Sequence, residues 1–117
     1  MNLETFYEYC LSKKGVSEHF PFDEDTLVFK VGGKMFALSS LSQWEKNEQS
    51  VNLKCDPDRA QELRAEYHEI QPGYHMSKVH WNTIALNGNL ADKFVKELID
   101  HSYELVFKSL TKKIQSE

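Results

Sequence analysis

Apolar residues in this chain recur with two different periods, and the switches between them mark out its elements. Leu3, Phe6, Tyr7, Cys10 and Leu11 fall three and four apart, which predicts an amphipathic helix over residues 3–14 with Asn2 as its cap and Gly15 as its stop. "TLVFKVGGKMFAL" then changes to two apolar strands around Gly32 and Gly33, residues that accept the positive backbone angles of a tight type I′ turn. A two-residue loop sets Val31 opposite Lys34, Phe29 opposite Phe36 and Leu27 opposite Leu38. Because side chains alternate along a strand, Leu27, Phe29, Val31, Phe36 and Leu38 are expected on one face. Val28, Lys30, Met35 and Ala37 are expected on the other.

The remaining segments follow the same logic. "SEHFPFDEDT" is turn-rich: Pro21 fixes one backbone angle, and Asp23, Glu24 and Asp25 are expected to form a solvated loop. "SLSQWEKNEQS" is a polar connection carrying Trp44, after which Val51, Leu53 and Cys55 alternate with Asn52 and Lys54 in a further strand. Asp56 and Pro57 end that strand and open a helix whose buried stripe is Ala60, Leu63 and Tyr67. Beyond the Pro72-Gly73 turn, residues 80–87 alternate again, with Asn82, Ile84 and Leu86 on one side and Trp81, Thr83 and Ala85 on the other. Gly88 and Asn89 break the strand. A long helix over residues 91–113 is built on Phe94, Leu98, Leu105 and Val106, with Asp92 early and Lys112 and Lys113 late, as the helix dipole prefers.

Hairpins followed by helices, without regular βαβ units, predict a two-layer α+β domain spanning residues 1–117. Its antiparallel sheet is covered by helices on one face and partly open on the other. A chain of 117 residues, 40% of them hydrophobic, can remove about two-thirds of its unfolded surface from water and hold a core. The formal charge of −4 excludes a wholly basic nucleic-acid module but leaves room for a local cationic patch. The opening residues "MNLETFYEYC" have neither a positive leader nor a signal-length apolar run, and no later stretch is long enough to cross a bilayer. A cytoplasmic protein with no membrane partner is expected. Cys10 and Cys55 lack C-x-x-C spacing and are expected to be buried, reduced thiols.

"QPGYHMSKVHW", residues 71–81, concentrates two histidines, a lysine, a tyrosine and a tryptophan without one acid. His75 and His80 are five apart, so they share neither a helix face nor a strand face, and no H-E-x-x-H or paired-cysteine pattern supplies further ligands. No metal or cofactor is therefore expected. No serine lies in a G-x-S-x-G elbow, neither cysteine has a base-bearing motif beside it, and Gly32-Gly33 joins strands where a phosphate loop would open a helix. The chain is expected to be non-enzymatic, and no small-molecule substrate is inferred. Lys30, Lys54 and Trp81 point by parity to the sheet face away from the helices, where cationic and aromatic groups can hold phosphates and stack on bases. The alternative is ordinary solvation of the lysines, with Trp81 packed under the "PGYH" turn.

The stretches "FPFDEDTLVFKVGGKMFAL", "LKCDPDRAQELR", "PGYHMSKVHWNTIAL" and "DHSYELVFKSLTKK", in that order, make the chain similar to the MmcQ/YjbR family of small bacterial proteins. The matching positions are Phe20, Pro21, Phe22, Phe29, Lys30, Gly33, Lys34, Lys54, Pro72, Tyr74, His75, Met76, Lys78, His80, Trp81, Ser102 and Tyr103. Ser77 stands where asparagine is expected in many relatives. The resemblance implies a helix-sheet-helix domain similar in fold to secretion chaperones. It also implies DNA binding through a double-wing arrangement of β-hairpins.

Two functions follow as expectations. In the first, Lys30, Lys34, Lys54 and Lys78, with Arg64, contact DNA phosphates, while His75, His80 and Trp81 organise or extend the surface and His75 is hydrogen-bonded internally. In the second, a protein partner binds on the open sheet face or at a sheet edge, as the chaperone-like fold allows.

Overall fold

The computed structural model describes residues 1–117, and its elements follow the order α1 (Leu3–Leu11), β1 (Val16–His19), β2 (Thr26–Val31), β3 (Lys34–Ser40), α2 (Leu41–Glu45), β4 (Ser50–Lys54), α3 (Pro57–Glu66), β5 (Ile70–Pro72), β6 (Trp81–Ala85), α4 (Asp92–Ser109) and α5 (Lys112–Gln115). The strands form one open sheet in the order β1-β2-β3-β4-β6-β5, with every neighbouring pair antiparallel. The helices α1, α3 and α4 bury their apolar stripes against one face of it, which makes the protein a two-layer α+β domain.

The caps sit where the sequence places them. Asn2 accepts a hydrogen bond from the Thr5 amide at 2.7 Å, and Asp56 accepts one from the Arg59 amide at 3.2 Å, with Pro57 leading the helix. Phe6 and Cys10 of α1, Phe29 of β2, Phe36 of β3 and Ile99 of α4 are fully buried in a single core. Cys10 and Cys55 are both buried and unpaired in disulfides. Burial pushes both thiols above their ordinary range, so they act as small apolar side chains.

The sequence pattern missed three features of the elements. β1 pairs with β2 along the sheet edge, but only Val16 of its four residues is even half-buried, so no apolar alternation announces it. β5 is three residues long and buries Ile70 alone, too little to carry a period. The expected single helix over 91–113 stops at Ser109, because Leu110 turns extended and Thr111 starts α5 by accepting a hydrogen bond from the Ile114 amide at 3.3 Å. That break lets Leu110 and Ile114 close over the β2–β3 turn. Gly32, at φ +58°, could carry no side chain there, since a Cβ would lie 2.6 Å from the Leu110 Cδ1. The hairpin tip is therefore seated on the C-terminal helices.

The hairpin register also differs from the expected one. Val31 does face Lys34, but Phe29 pairs with Ala37 and Leu27 with Ser39. One extra residue, Phe36, bulges out of β3 between the Lys30–Met35 and Phe29–Ala37 pairs. Parity inverts beyond the bulge: Ala37 joins the helix-side core, and Leu38 turns to the open face to pack with Val28 and Trp81.

The bulge creates a polar debt that α4 settles. β3 and β4 are registered only at Ala37–Leu53 and Leu38–Asn52, so the Phe36 carbonyl and the Lys54 amide lie beyond the ladder. The Ser102 hydroxyl, fully buried, donates to the Phe36 carbonyl at 2.5 Å and accepts from the Lys54 amide at 2.8 Å. One side chain thus stands in for a missing ladder bond on each strand. Ser102→Ala leaves a buried acceptor and a buried donor without partners. We expect it to lower the unfolding free energy by about 2–4 kcal/mol in chemical denaturation; a loss below about 0.5 kcal/mol would show that the strands do not need the bridge.

One residue earlier, the His101 Nε2 accepts the Asp56 amide at 3.1 Å. Burial, reinforced by Arg59 and partly offset by Asp56, holds this imidazole below its ordinary value. The unfolded chain therefore takes up the proton first, and stability present above the ordinary imidazole pKa falls as pH drops from there toward the folded value. Melting temperature should decline between about pH 7 and pH 5. His101→Gln, which keeps an acceptor that does not titrate in that window, should flatten the decline.

Candidate functional site

The open face of the sheet carries the residues that the sequence singled out, and it divides into two halves. Val28 and Lys30 of β2, Met35 and Leu38 of β3, Lys54 of β4 and Trp81 of β6 occupy the half nearer the β2–β3 turn. Thr26, Ser40, Ser50, Asn52 and Thr83 occupy the other half, opposite one another across their strands. Lys30 and Lys54 thus share the uncovered side, as alternation required.

Lys34 does not join them. It pairs with Val31, whose side chain is in the helix-side core, and its Nζ reaches the Ser109 hydroxyl of α4 at 3.3 Å. Trp81 is only 8% exposed, packed among Val28, Leu38, Met35 and Met76, so its ring is not a free stacking surface. Lys78 is exposed on the 73–80 loop and donates back to the Gly73 carbonyl at 3.1 Å. His80 is exposed, and its carbonyl accepts the Cys55 amide at 2.8 Å.

His75 sits at φ +59°, a left-handed conformation uncommon outside glycine. Its ring lies 4.0 Å from the Tyr74 ring, an aromatic contact in place of the internal hydrogen bond expected of it.

Arg64 has a different task from the phosphate contact expected of it. From α3 its guanidinium donates to the Asn82 Oδ1 at 2.6 Å, to the Trp81 carbonyl at 3.1 Å and to the Lys78 carbonyl. It clamps the end of the 73–80 loop to the helix layer and satisfies the buried Asn82 side chain. At the loop's other end, Gly73 lies so close to Trp81 that a Cβ would be 2.8 Å from the Trp81 Cβ. "QPGYHMSKVHW" is a clamped turn leading into a strand.

Across the polar half of the face, the 20–25 loop is held as firmly. The Thr26 amide, first among several donors, keeps the Asp23 carboxyl below the usual carboxylate range, and the Ser40 hydroxyl does the same for Asp25. Asp25 also accepts from the Ser42 amide at 2.8 Å and from the Ser42 hydroxyl at 3.0 Å. The loop is exposed, as expected of the acidic trio, but Asp23 caps its own turn into β2 and Asp25 ties the loop to β3 and α2.

Between these two loops lies a cleft of about 480 Å³, within the size range of small-molecule pockets. Phe22 and Tyr74, 63% and 67% exposed, stand on its opposite rims. Thr26, Ser40, Ser50, Asn52, Thr83 and Gln43 line it with hydroxyls and amides, and Leu38 and Met76 form its apolar border with the lysine half. No Lys, Arg, Asp or Glu is part of this lining. Sequence reasoning named neither Phe22 nor Tyr74 as a site residue. The available signal was an aromatic beside proline or glycine in a polar loop, where a core role is improbable.

The chain's ion pairs lie elsewhere, between the N-terminal amine and Asp92, Lys13 and Asp100, His68 and Glu69, and Lys108 and Glu104. Lys30, Lys54 and Lys78 take part in none of them. No three His, Cys, Asp or Glu residues lie close enough together to hold a metal ion. No helix is long and apolar enough to cross a membrane.

An open antiparallel sheet with one helix-covered face and one uncovered, lysine-bearing face defines a small two-layer α+β domain. The profile of the YjbR family matches residues 11–105, and the chain belongs to that family. It is 31% identical over 104 residues to the uncharacterized protein YjbR of Escherichia coli K12, covering 89% of this chain and 86% of that one. It is 35% identical over 112 residues to the uncharacterized protein YbdF of Escherichia coli O157:H7, covering 96% and 89%. The crystal structure of Deinococcus radiodurans protein DR2400, a DUF419 domain, superposes with a TM-score of 0.90 at 37% identity, over 98% of this chain and 86% of that one. A Pseudomonas syringae crystal structure superposes with a TM-score of 0.77 at 29% identity, over 91% and 99%. None of these names specifies an activity.

The Arg64 clamp yields a direct test. Arg64→Leu removes the donors to one side-chain and two backbone oxygens, so amide hydrogen exchange across residues 73–81 should accelerate about tenfold or more while β2 and β3 stay protected. Arg64→Lys should restore only part of the protection, because an ammonium cannot span three acceptors with a planar fork.

Proposed function

We propose that this protein is a non-enzymatic nucleic-acid-binding domain that engages the phosphate backbone with its open sheet face. The observation that carries this reading is the placement of Lys30 and Lys54 on the uncovered face, with no carboxylate paired to either. Lys78, on the loop bordering the same face, extends the cationic row. A chain of net charge −4 thereby keeps a local surface on which phosphates meet no anionic partner. The β2–β3 hairpin and the 73–80 loop take the place of wings at the edges of that surface. Lys34, turned toward α4, is outside it.

With so few cations converging, binding is modest and salt-dependent. The slope of log affinity against log salt should be about −2 to −3. Lys30→Glu combined with Lys54→Glu should weaken binding of a labelled DNA at least tenfold in fluorescence anisotropy, whereas Lys34→Glu should change it less than about twofold. Equal effects of the two substitutions, with the fold intact by circular dichroism, would falsify the assigned face.

A second reading has its own observation. Phe20, Phe22, Tyr74 and Val79 are exposed at 46%, 63%, 67% and 60%, which suits a protein partner laid over the same loops. Such an association would be nearly insensitive to salt and would survive loss of the two lysines.

A further inference from the structure

We infer that the cleft between the 20–25 and 73–76 loops is a pocket for an unpaired nucleobase; the inference deepens the nucleic-acid reading of the same face and rests on it for the strand to which the base is attached. Several hydrogen-bonding atoms of the cleft are already used within the chain. The Tyr74 amide donates to the Thr83 Oγ1 at 2.9 Å, which leaves the Thr83 hydroxyl proton free to be donated to the Asn52 Oδ1. The Ser50 hydroxyl donates to the Gln43 Oε1 at 3.2 Å. Ser40 and Thr26 turn their hydroxyl protons to Asp25 and Asp23.

Both amide carbonyls thus accept from hydroxyls of the chain itself, and the NH₂ group of neither amide is used in a hydrogen bond within the chain. The floor therefore offers two free amide donors beside hydroxyl oxygens that still accept.

Three ligand classes meet this lining differently. A phosphate or carboxylate group would find no fixed cation among the lining residues. A sugar could pair its hydroxyls with the Ser and Thr oxygens of the floor, but it has no flat π face to set against Phe22 and Tyr74. A nucleobase brings ring carbonyls and ring nitrogens in one plane, with an apolar face above and below. Phe22 and Tyr74 on opposite rims supply the aromatic surfaces for those faces.

The Tyr74 rim is fixed by the chain itself: the Tyr74 amide is bonded to Thr83, and its ring lies 4.0 Å from the ring of His75, which has a left-handed backbone. Lys54 follows Asn52 along β4 on the same face, two residues on, and Lys30 and Val28 flank Leu38 at the cleft border. A base seated in the cleft would therefore have its sugar-phosphate chain running onto the lysine half. A base stacked in a duplex cannot enter, so the pocket selects single strands.

The test uses a short fluorescein-labelled thymidine oligonucleotide, the duplex of the same length, and free thymidine, with anisotropy for the strands and NMR for the nucleoside. The single strand should bind about tenfold or more tightly than the duplex. Phe22→Ala combined with Tyr74→Ala, both at exposed positions, should remove about a ten- to hundredfold share of single-strand affinity and leave duplex binding unchanged. Free thymidine carries no phosphate and should shift the side-chain amide resonances of Asn52 and Gln43. Asn52→Asp keeps the acceptor for Thr83 but deletes the NH₂ group, and should abolish the thymidine response.

Equal binding of single strand and duplex, unaltered by the double alanine variant, with no thymidine shifts, overturns the pocket while leaving the lysine face standing. Thymidine shifts at Asn52 and Gln43 without binding of either strand support the pocket, as a site for free nucleosides, and remove the phosphate-binding reading instead.

Discussion

The fold turns on one buried hydroxyl. Ser102 projects from α4 into the gap that the Phe36 bulge opens between β3 and β4, and it answers a carbonyl on one strand and an amide on the other. A sheet cannot tolerate an orphaned polar pair at its centre, where no water reaches, so bulge and serine are a single device. The device locks the long helix to the middle of the sheet at one rotational setting. It also places Tyr103 against Phe36, ring centroids 5.4 Å apart, with the Tyr103 hydroxyl reaching the Lys14 carbonyl at 2.6 Å.

The open face inherits its character from that bulge. Without the extra residue, Leu38 would lie in the core and the smaller Ala37 would take its place beside Val28. With it, Leu38 joins Val28 on the far side and gives Trp81 an apolar seat, and Trp81 in turn underlies the 73–80 loop. Arg64 then clamps the same loop from the helix layer. Tyr74 and His75 occupy their rim positions because the loop is fixed at both ends. Asp23 accepts from the Thr26 amide and Asp25 from Ser40 and Ser42, and neither forms an ion pair with Lys30 or Lys54.

Much of the candidate site was legible along the chain, and the failures are instructive. Alternation over β2, β4 and β6 puts Lys30, Lys54 and Trp81 on one face, since β4 and β6 pair without a shift and the extra residue of the β2–β3 bulge lies on β3. Alternation could not say that Trp81 would be covered, because burial there depends on Leu38 and Met76, which reach it only through the bulge and the loop. Lys34 was grouped with Lys30 by nearness in sequence, although it pairs with core-facing Val31 and so belongs to the opposite side. Arg64 looked like a free cation because its three acceptors lie 14 to 18 residues away.

What the sequence determined by itself was local: the caps at Asn2 and Asp56, the Gly32-Gly33 turn, the two apolar periods, and from their order an α+β domain with one covered sheet face. Those follow from backbone sterics and from the need to bury apolar side chains, which act within a few residues of each other. Tertiary structure alone decided the bulge at Phe36, the end of the last long helix at Ser109, the edge strands β1 and β5, and the cleft between two loops some fifty residues apart. Each of these is settled by a partner distant in the chain, Ser102 for the bulge and Gly32 for the helix break. A pattern read along the sequence contains no term for such partners.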